Sequence, residues 1–196
     1  ILYTSGVQLV AVLPKAFELA TVYTAAVCTK AAQPQAAAAL IERHRVTSSS
    51  GTPFHLGGTI DAADRDGRDL SSLRNYIVGA APVPTKLVER CVASNLAVFR
   101  CYGSSEHPTV TSGTAQDPLA KQLATEGRVI AGNELRFVDD DGKDVPPSED
   151  GEIATRGPEL FMGYLDASLN EAAFLPGGWY RTGDVGRLDT DGYLLI

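Results

Sequence analysis

Tyr76-Ile77-Val78-Gly79 and Val98-Phe99-Arg100-Cys101-Tyr102-Gly103 decide the fold class of this chain, together with the Leu87–Leu96 run between them. Each outer segment is a short run rich in β-branched or aromatic residues that ends on glycine, as a buried parallel strand does. The middle segment follows the breaks at Pro82 and Pro84 and reads as a helix. Strand, helix, strand with short connections is the grammar of a parallel sheet. Upstream, Ala36–Val46 reads as a helix with Ala37, Leu40 and Ile41 at helical spacing. Val7–Leu13 is a strand-length apolar run closed by Pro14, and Asp61–Asp69 reads as a charged, glycine-containing loop. From Gly132 onward the pattern changes. Leu135–Val138, Gly151–Gly157, Val185–Asp189 and Tyr193–Ile196 are short strands, and the turns Asp139-Asp140-Asp141-Gly142 and Asp189–Gly192 separate them. The expected fold class is α/β: a parallel α/β subdomain over 1–131, then a small antiparallel, β-barrel-like subdomain over 132–196.

Composition narrows the function. The 196 residues carry 17 Lys+Arg against 24 Asp+Glu, a net charge of −7, and 44% are hydrophobic, enough to fill a core. An acidic chain without clustered Lys and Arg is a poor nucleic-acid binder. No apolar run reaches the ~20 residues of a membrane span. The sequence opens on a strand-like run without a charged leader, so no cleavable signal is expected. Cys28, Cys91 and Cys101 are odd in number and without close spacing, so neither a disulfide framework nor a zinc site is expected. A reducing, cytoplasmic setting follows as the expectation.

Four glycine-punctuated segments carry the candidate chemistry. Thr4-Ser5-Gly6 offers hydroxyls and free backbone amides to phosphate oxygens, although Ser-Gly turns are common. Gly79-Ala80-Ala81-Pro82 leaves the backbone open at a strand's carboxyl end, where open α/β sheets bind ligands. A tight strand-to-helix turn explains those four residues equally well. Tyr102-Gly103-Ser104-Ser105-Glu106 places a ring for a nucleobase, hydroxyls for phosphate and a carboxylate for Mg²⁺ within one loop. The same loop also suits a serine-capped helix start. In Trp179-Tyr180-Arg181-Thr182-Gly183-Asp184, a carboxylate after a Thr-Gly turn has two acceptor oxygens for a ribose diol, or is a solvated turn residue.

Taken together, and in this order, the four segments resemble the adenylate-forming superfamily of acyl- and aryl-CoA synthetases, peptide-synthetase adenylation domains and luciferases. The resemblance covers nearly the whole chain. It includes Gly127-Arg128, Gly151-Glu152-Ile153-Ala154-Thr155-Arg156-Gly157-Pro158, Phe161-Met162-Gly163-Tyr164 and the closing series from Tyr180 to Tyr193. It implies ATP-dependent conversion of a carboxylic acid to an acyl adenylate, then transfer to coenzyme A. ATP, Mg²⁺ and coenzyme A are the implied cofactors. By this likeness Gly79, Ala80, Ala81 and Pro82 line the adenine slot with Tyr102 beside it, followed by Gly103 and Ser104. Ser105 meets the α-phosphate region and Glu106 binds Mg²⁺; these two are the implied catalytic residues. Asp184 takes the ribose hydroxyls, and Thr4, Ser5 and Gly6 begin the pyrophosphate-holding loop.

The sequence departs from the family in ways that bear on activity. After Gly6 it runs directly into Val7–Pro14, without the glycine-rich loop and its Pro-Lys-Gly, and Lys15 lacks flanking glycines. The family's N-terminal subdomain is missing, and the sequence stops at Ile196, before the hinge and the mobile, lysine-bearing C-terminal domain. Parts of a longer enzyme are the favoured explanation, a deletion-bearing fragment the other. Either way the 196 residues alone are not expected to complete adenylation. Phe17–Thr21 lacks the Asp of amino-acid-activating relatives. Val10–Thr24, Thr52-Pro53-Phe54 and Gly79 suit an apolar acyl pocket, which favours a fatty, alicyclic or aryl acid. His107 reads as a plain loop histidine and Cys101 as a small core residue. Two rivals remain: an acyl-AMP ligase that loads a carrier protein, and a non-catalytic nucleotide-binding module.

Overall fold

The computed structural model describes residues 34–79, 81 and 83–196. The expected strand at Val7–Leu13 and the Thr4-Ser5-Gly6 opening lie outside the described residues. Helix α1 (Pro34–His44) forms on an alanine-rich run and buries Ala37, Ala38 and Ile41 along one stripe. Arg43 and His44 occupy its last turn, where positive charge complements the helix dipole. Strand β1 (Ser48–Gly51) leads into helix α2 (Pro53–Asp66). A capping box starts α2: the Thr52 hydroxyl accepts the His55 amide while the His55 ring reaches back to the Thr52 amide. Gly67 closes α2 in a left-handed C-cap. The expected charged loop over Asp61–Asp69 is therefore helical as far as Asp66. Its charges lie on the solvent face, where Asp61 and Asp64 both accept from Arg90, while Leu56, Ala62 and Ala63 point inward.

Strand β2 (Asn75–Val78), helix α3 (Thr85–Ala93) and strand β3 (Ala97–Tyr102) complete the expected strand–helix–strand unit. β1, β2 and β3 pair in parallel, with Ser49 opposite Tyr76 and Tyr76 opposite Val98. Their core gathers Ile41, Leu56, Tyr76, Val78, Val88, Cys91 and Val98. Ile77, between Tyr76 and Val78, is 38% exposed, so β2 is buried on one face and not on both. Two short strands then extend the sheet by antiparallel pairing: β4 (Thr111–Ser112) beside β3, and β5 (Arg128–Val129) beside β4. Helix α4 (Leu119–Ala124) lies between them in sequence. The sheet is thus mixed, parallel only over its first three strands.

The second sheet is antiparallel and curls into a half-barrel, in the order β10-β9-β7-β6. It is built from β6 (Glu134–Val138), β7 (Gly151–Arg156), β9 (Trp179–Leu188) and β10 (Leu194–Leu195). The short β8 (Phe174–Leu175), preceded by the one-turn helix α5 (Asn170–Ala173), pairs with the start of β9. Both acidic turns form as expected: the Gly142 amide donates to the Asp139 carbonyl, and the Gly192 amide to the Asp189 carbonyl. Phe137, Ile153 and Leu194 form its core, and Tyr102 from the first sheet packs against them.

Among the described residues no helix is long and apolar enough to cross a membrane. Leu56 is fully buried and Phe54, two residues earlier on the same helix, is 80% exposed. Leu56→Ala is expected to lose about 2–5 kcal/mol of stability in chemical denaturation, because the cavity adds to the lost transfer term. Phe54→Ala should stay within about 0.5 kcal/mol of the wild type.

Candidate functional site

The parallel strands end side by side, and the candidate residues collect at that edge. Gly79 follows β2 and lies against β3: a Cβ there would come within 2.9 Å of the Cys101 Sγ and 3.0 Å of the Cys101 carbonyl oxygen. Only glycine allows that approach, so the residue keeps the two strand ends together. Ala81 is exposed beyond it, while Ala80 and Pro82 lie outside the described residues. Tyr102 closes β3, and the hairpin loop to β4 carries Gly103, Ser104, Ser105 and Glu106.

That loop is not the start of a helix. The Ser104 amide donates to the His107 carbonyl at 2.9 Å. The Ser104 hydroxyl in turn accepts the amides of Glu106 at 3.2 Å and His107 at 3.3 Å. This serine turn folds the loop back until Gly103 lies against the Pro108 carbonyl, with no room for a side chain. Ser105 is left exposed at the tip. Glu106 is held from three sides: its carbonyl accepts the Phe161 amide at 2.8 Å, its carboxylate accepts the Tyr164 hydroxyl at 3.0 Å, and the serine turn fixes its amide.

Asp184 reaches the same region from the second sheet. Sequence reading placed it after a Thr-Gly turn; the structure places it on a bulge inside the continuous strand β9. Glu152 pairs with Val185 and Ala154 with Arg181, so Ile153 alone faces Thr182, Gly183 and Asp184. Gly183 absorbs the extra length with φ at 77°, a left-handed conformation that a side chain would strain. The bulge turns Asp184 outward, and its Oδ2 accepts the Tyr102 hydroxyl at 2.7 Å. Two candidates 82 residues apart in sequence are thereby in direct contact.

Burial, and then the neighbouring Asp184 carboxylate, push the Tyr102 phenol well above its ordinary value, so it remains a hydrogen-bond donor at physiological pH. Burial and the Tyr164 hydroxyl likewise raise Tyr180. The Ser104 hydroxyl, with Glu106's own backbone amide, holds the Glu106 carboxyl below its usual range, so it is ionised. Among the described residues no three His, Cys, Asp or Glu side chains gather into a metal cage. A single fixed carboxylate still suits Mg²⁺, which commonly binds through one or two carboxylates plus substrate phosphates and its own waters.

His107 is 1% exposed. Its Nδ1 is 3.0 Å from the Thr155 hydroxyl and its Nε2 3.3 Å from the Asn133 amide oxygen. It is a buried connector between the loop and β7, not a ligand-facing group. Cys91 and Cys101 are free thiols, both pushed upward by burial. The aromatic cluster behind Glu106 was not assigned a role from sequence. Phe161 stacks on Phe174 and meets Tyr164 and Tyr180 edge-on, with centroids 4.8–5.5 Å apart. Phe161 and Tyr164 stand in a motif visible in the sequence, but only the fold shows that they converge on Glu106.

A family model described as AMP-binding enzyme matches residues 9–165. Among curated relatives, the medium-chain fatty-acid–CoA ligase of Escherichia coli is 37% identical over 165 residues, which is 83% of this chain and 29% of that protein. The indoleacetate–CoA ligase of Aromatoleum aromaticum is 34% identical over 156 residues, 80% of this chain and 31% of that protein. The solved structure of O-succinylbenzoate coenzyme A synthetase from Bacillus subtilis, in complex with ATP and magnesium ion, matches with a TM-score of 0.73 at 30% identity. That match covers 84% of this chain and 34% of the other. The chain thus spans about a third of the length of the proteins it matches.

Because its folded-state pKa is lowered, Glu106 adds stability above its ordinary pKa of 4.5 and loses it as pH falls through the folded value. Ser104→Ala is expected to move the Glu106 titration upward toward that ordinary value. Carboxyl carbon chemical shifts measured against pH would report it; an unchanged midpoint would show that Ser104 does not set this charge.

Proposed function

As the chain belongs to the AMP-binding enzyme family, we propose that it forms the nucleotide-holding part of an enzyme that activates a carboxylic acid with ATP and transfers the acyl group to coenzyme A. The observation that carries this reading is the Tyr102–Asp184 hydrogen bond, because it puts a ring and a two-oxygen acceptor side by side at a parallel-strand edge. In this reading residues 1–131 bind nucleotide and acyl group, and 132–196 supply the ribose acceptor. Adenine lies along Gly79–Pro82 beside Tyr102 and Gly103, and the ribose diol meets Asp184. The phosphates run toward Ser104 and Ser105, with Thr4, Ser5 and Gly6 opening the pyrophosphate loop.

The chemistry follows from that placement. The acid's carboxylate oxygen attacks the α-phosphorus, and the bond to pyrophosphate breaks to leave an acyl adenylate. A thiolate then attacks the acyl carbon, and AMP departs with the electron pair. Holding the reactants in line and offsetting phosphate charge are the protein's main contributions. Glu106 would hold Mg²⁺, whose charge stabilises the phosphate oxygens. Ser105, exposed at the loop tip, would donate to the α-phosphate region.

Coenzyme A is preferred to a carrier protein's thiol because the curated relatives compared above are CoA ligases. Their acids, a medium-chain fatty acid and indoleacetate, suit the fatty, alicyclic or aryl class. Free Cys91 and Cys101 suit a reducing cytoplasm.

Carboxylate-dependent ATP–pyrophosphate exchange by the full-length protein tests the reading. Exchange should appear with a medium-chain, alicyclic or aryl acid, and Glu106→Ala should reduce it by about a hundredfold or more, as loss of an essential charge-stabilising group does. Asp184→Ala should weaken ATP binding about ten- to a hundredfold, the range for a hydrogen bond to a charged acceptor. No exchange with any acid, or wild-type rates in the Glu106 variant, would overturn the proposal. The 196 residues alone should give no exchange; ordinary turnover there would contradict the expectation that they cannot complete adenylation.

A further inference from the structure

We propose that Glu152, on β7, is the positioning residue that aims the Asp184 carboxylate at the ribose. The proposal rests on the reading of Asp184 as the ribose acceptor.

The argument starts from the bulge. Where Ile153 faces three residues of β9, the regular ladder cannot satisfy the extra amides, and each needs another partner. Two local bonds serve one side: the Thr182 hydroxyl donates to the Ile153 carbonyl at 2.8 Å and accepts the Asp184 amide at 3.2 Å. The Gly183 amide is served by Glu152, whose Oε1 accepts it at 3.2 Å. The other carboxylate oxygen, Oε2, accepts the Arg181 Nε at 2.9 Å and pairs with an Arg181 terminal nitrogen.

One side chain thus grips β9 on both sides of Thr182. Two Arg181 nitrogens hold Oε2, which leaves Oε1 for the amide of Gly183, the residue immediately before Asp184. The Glu152 side chain is 18% exposed, so water competes little for these bonds. Asp184, by contrast, is exposed, and its own contact is with Tyr102. Its direction therefore depends on a backbone turn that Glu152 holds. A role confined to strand pairing would predict an ordinary ladder at this point; the ladder is broken here and Glu152 bridges the break.

Equilibrium binding of ATP and of 2′,3′-dideoxy-ATP to the full-length protein tests this directly, because the ratio of the two affinities isolates the ribose hydroxyls. Asp184→Ala should lower that ratio about tenfold or more, and Glu152→Ala about three- to tenfold, with dideoxy-ATP affinity within about twofold of wild type. The double variant should fall no further than Asp184→Ala, since the two residues act in series. Glu152→Gln keeps an oxygen for Gly183 but sets its amide nitrogen against Arg181, so it should fall between wild type and alanine. It also carries the test if the alanine variant does not fold. Three results would overturn the proposal: an unchanged ratio in both Glu152 variants, equal loss for both nucleotides, or additive loss in the double variant. An unchanged ratio in Asp184→Ala would instead remove the ribose reading itself, and this proposal with it.

Discussion

Tyr102 belongs to the first sheet through its backbone and to the second through its side chain. Its strand pairs with β2 and β4, yet its ring packs on the Phe137, Ile153 and Leu194 core, and its hydroxyl ends on Asp184. Burial raises the phenol's pKa, so the group stays a donor to Asp184. The loop to Glu106 leaves from the next residue, so whatever fixes Tyr102 also fixes the spacing between Glu106 and Asp184. The candidate site therefore exists only while the two sheets keep this contact.

Other contacts maintain the same alignment from farther away. Leu194 of β10 exchanges backbone bonds at 2.8 Å with Glu126 and Gly127, just ahead of β5. Lys121 of α4 reaches Asp189 and Asp191, each at 2.6 Å, and Tyr193 donates to Asp117 at 2.8 Å beneath the Arg128 guanidinium. Of the two ion pairs the one to exposed Asp191 contributes little on its own, whereas Lys121 and Asp189 are both largely shielded from water. The backbone bonds and buried side chains are the firmer fastening. Buried His107 adds a polar tie between the Glu106 loop and β7.

Much of this was legible in the sequence wherever side-chain pattern and backbone geometry agree. β2, β3, β6 and β7, helices α1 and α3, and both acidic turns fall where apolar spacing or Asp-Gly chemistry put them, within three residues at every end. β1 was invisible because Ser48-Ser49-Ser50-Gly51 has no strand propensity; pairing with β2 makes it a strand. The second half of α2 read as a loop because Asp61, Asp64, Arg65 and Asp66 are its solvent face, while its identity lies in the Thr52–His55 capping box. Within the site, Tyr102, Glu106 and Asp184 stood out as residues. The bulge, the Tyr164–Glu106 bond and the grip of Glu152 did not, because each joins segments distant in sequence and depends on register, which a one-dimensional pattern does not carry.

A crystal structure of the full-length protein with AMP bound tests the central claim most directly. The account predicts adenine at the ends of β2 and β3 beside Tyr102, with both ribose hydroxyls within hydrogen-bond distance of Asp184. Nucleotide bound elsewhere, or a ribose turned away from Asp184 with the Tyr102–Asp184 bond intact, would contradict it.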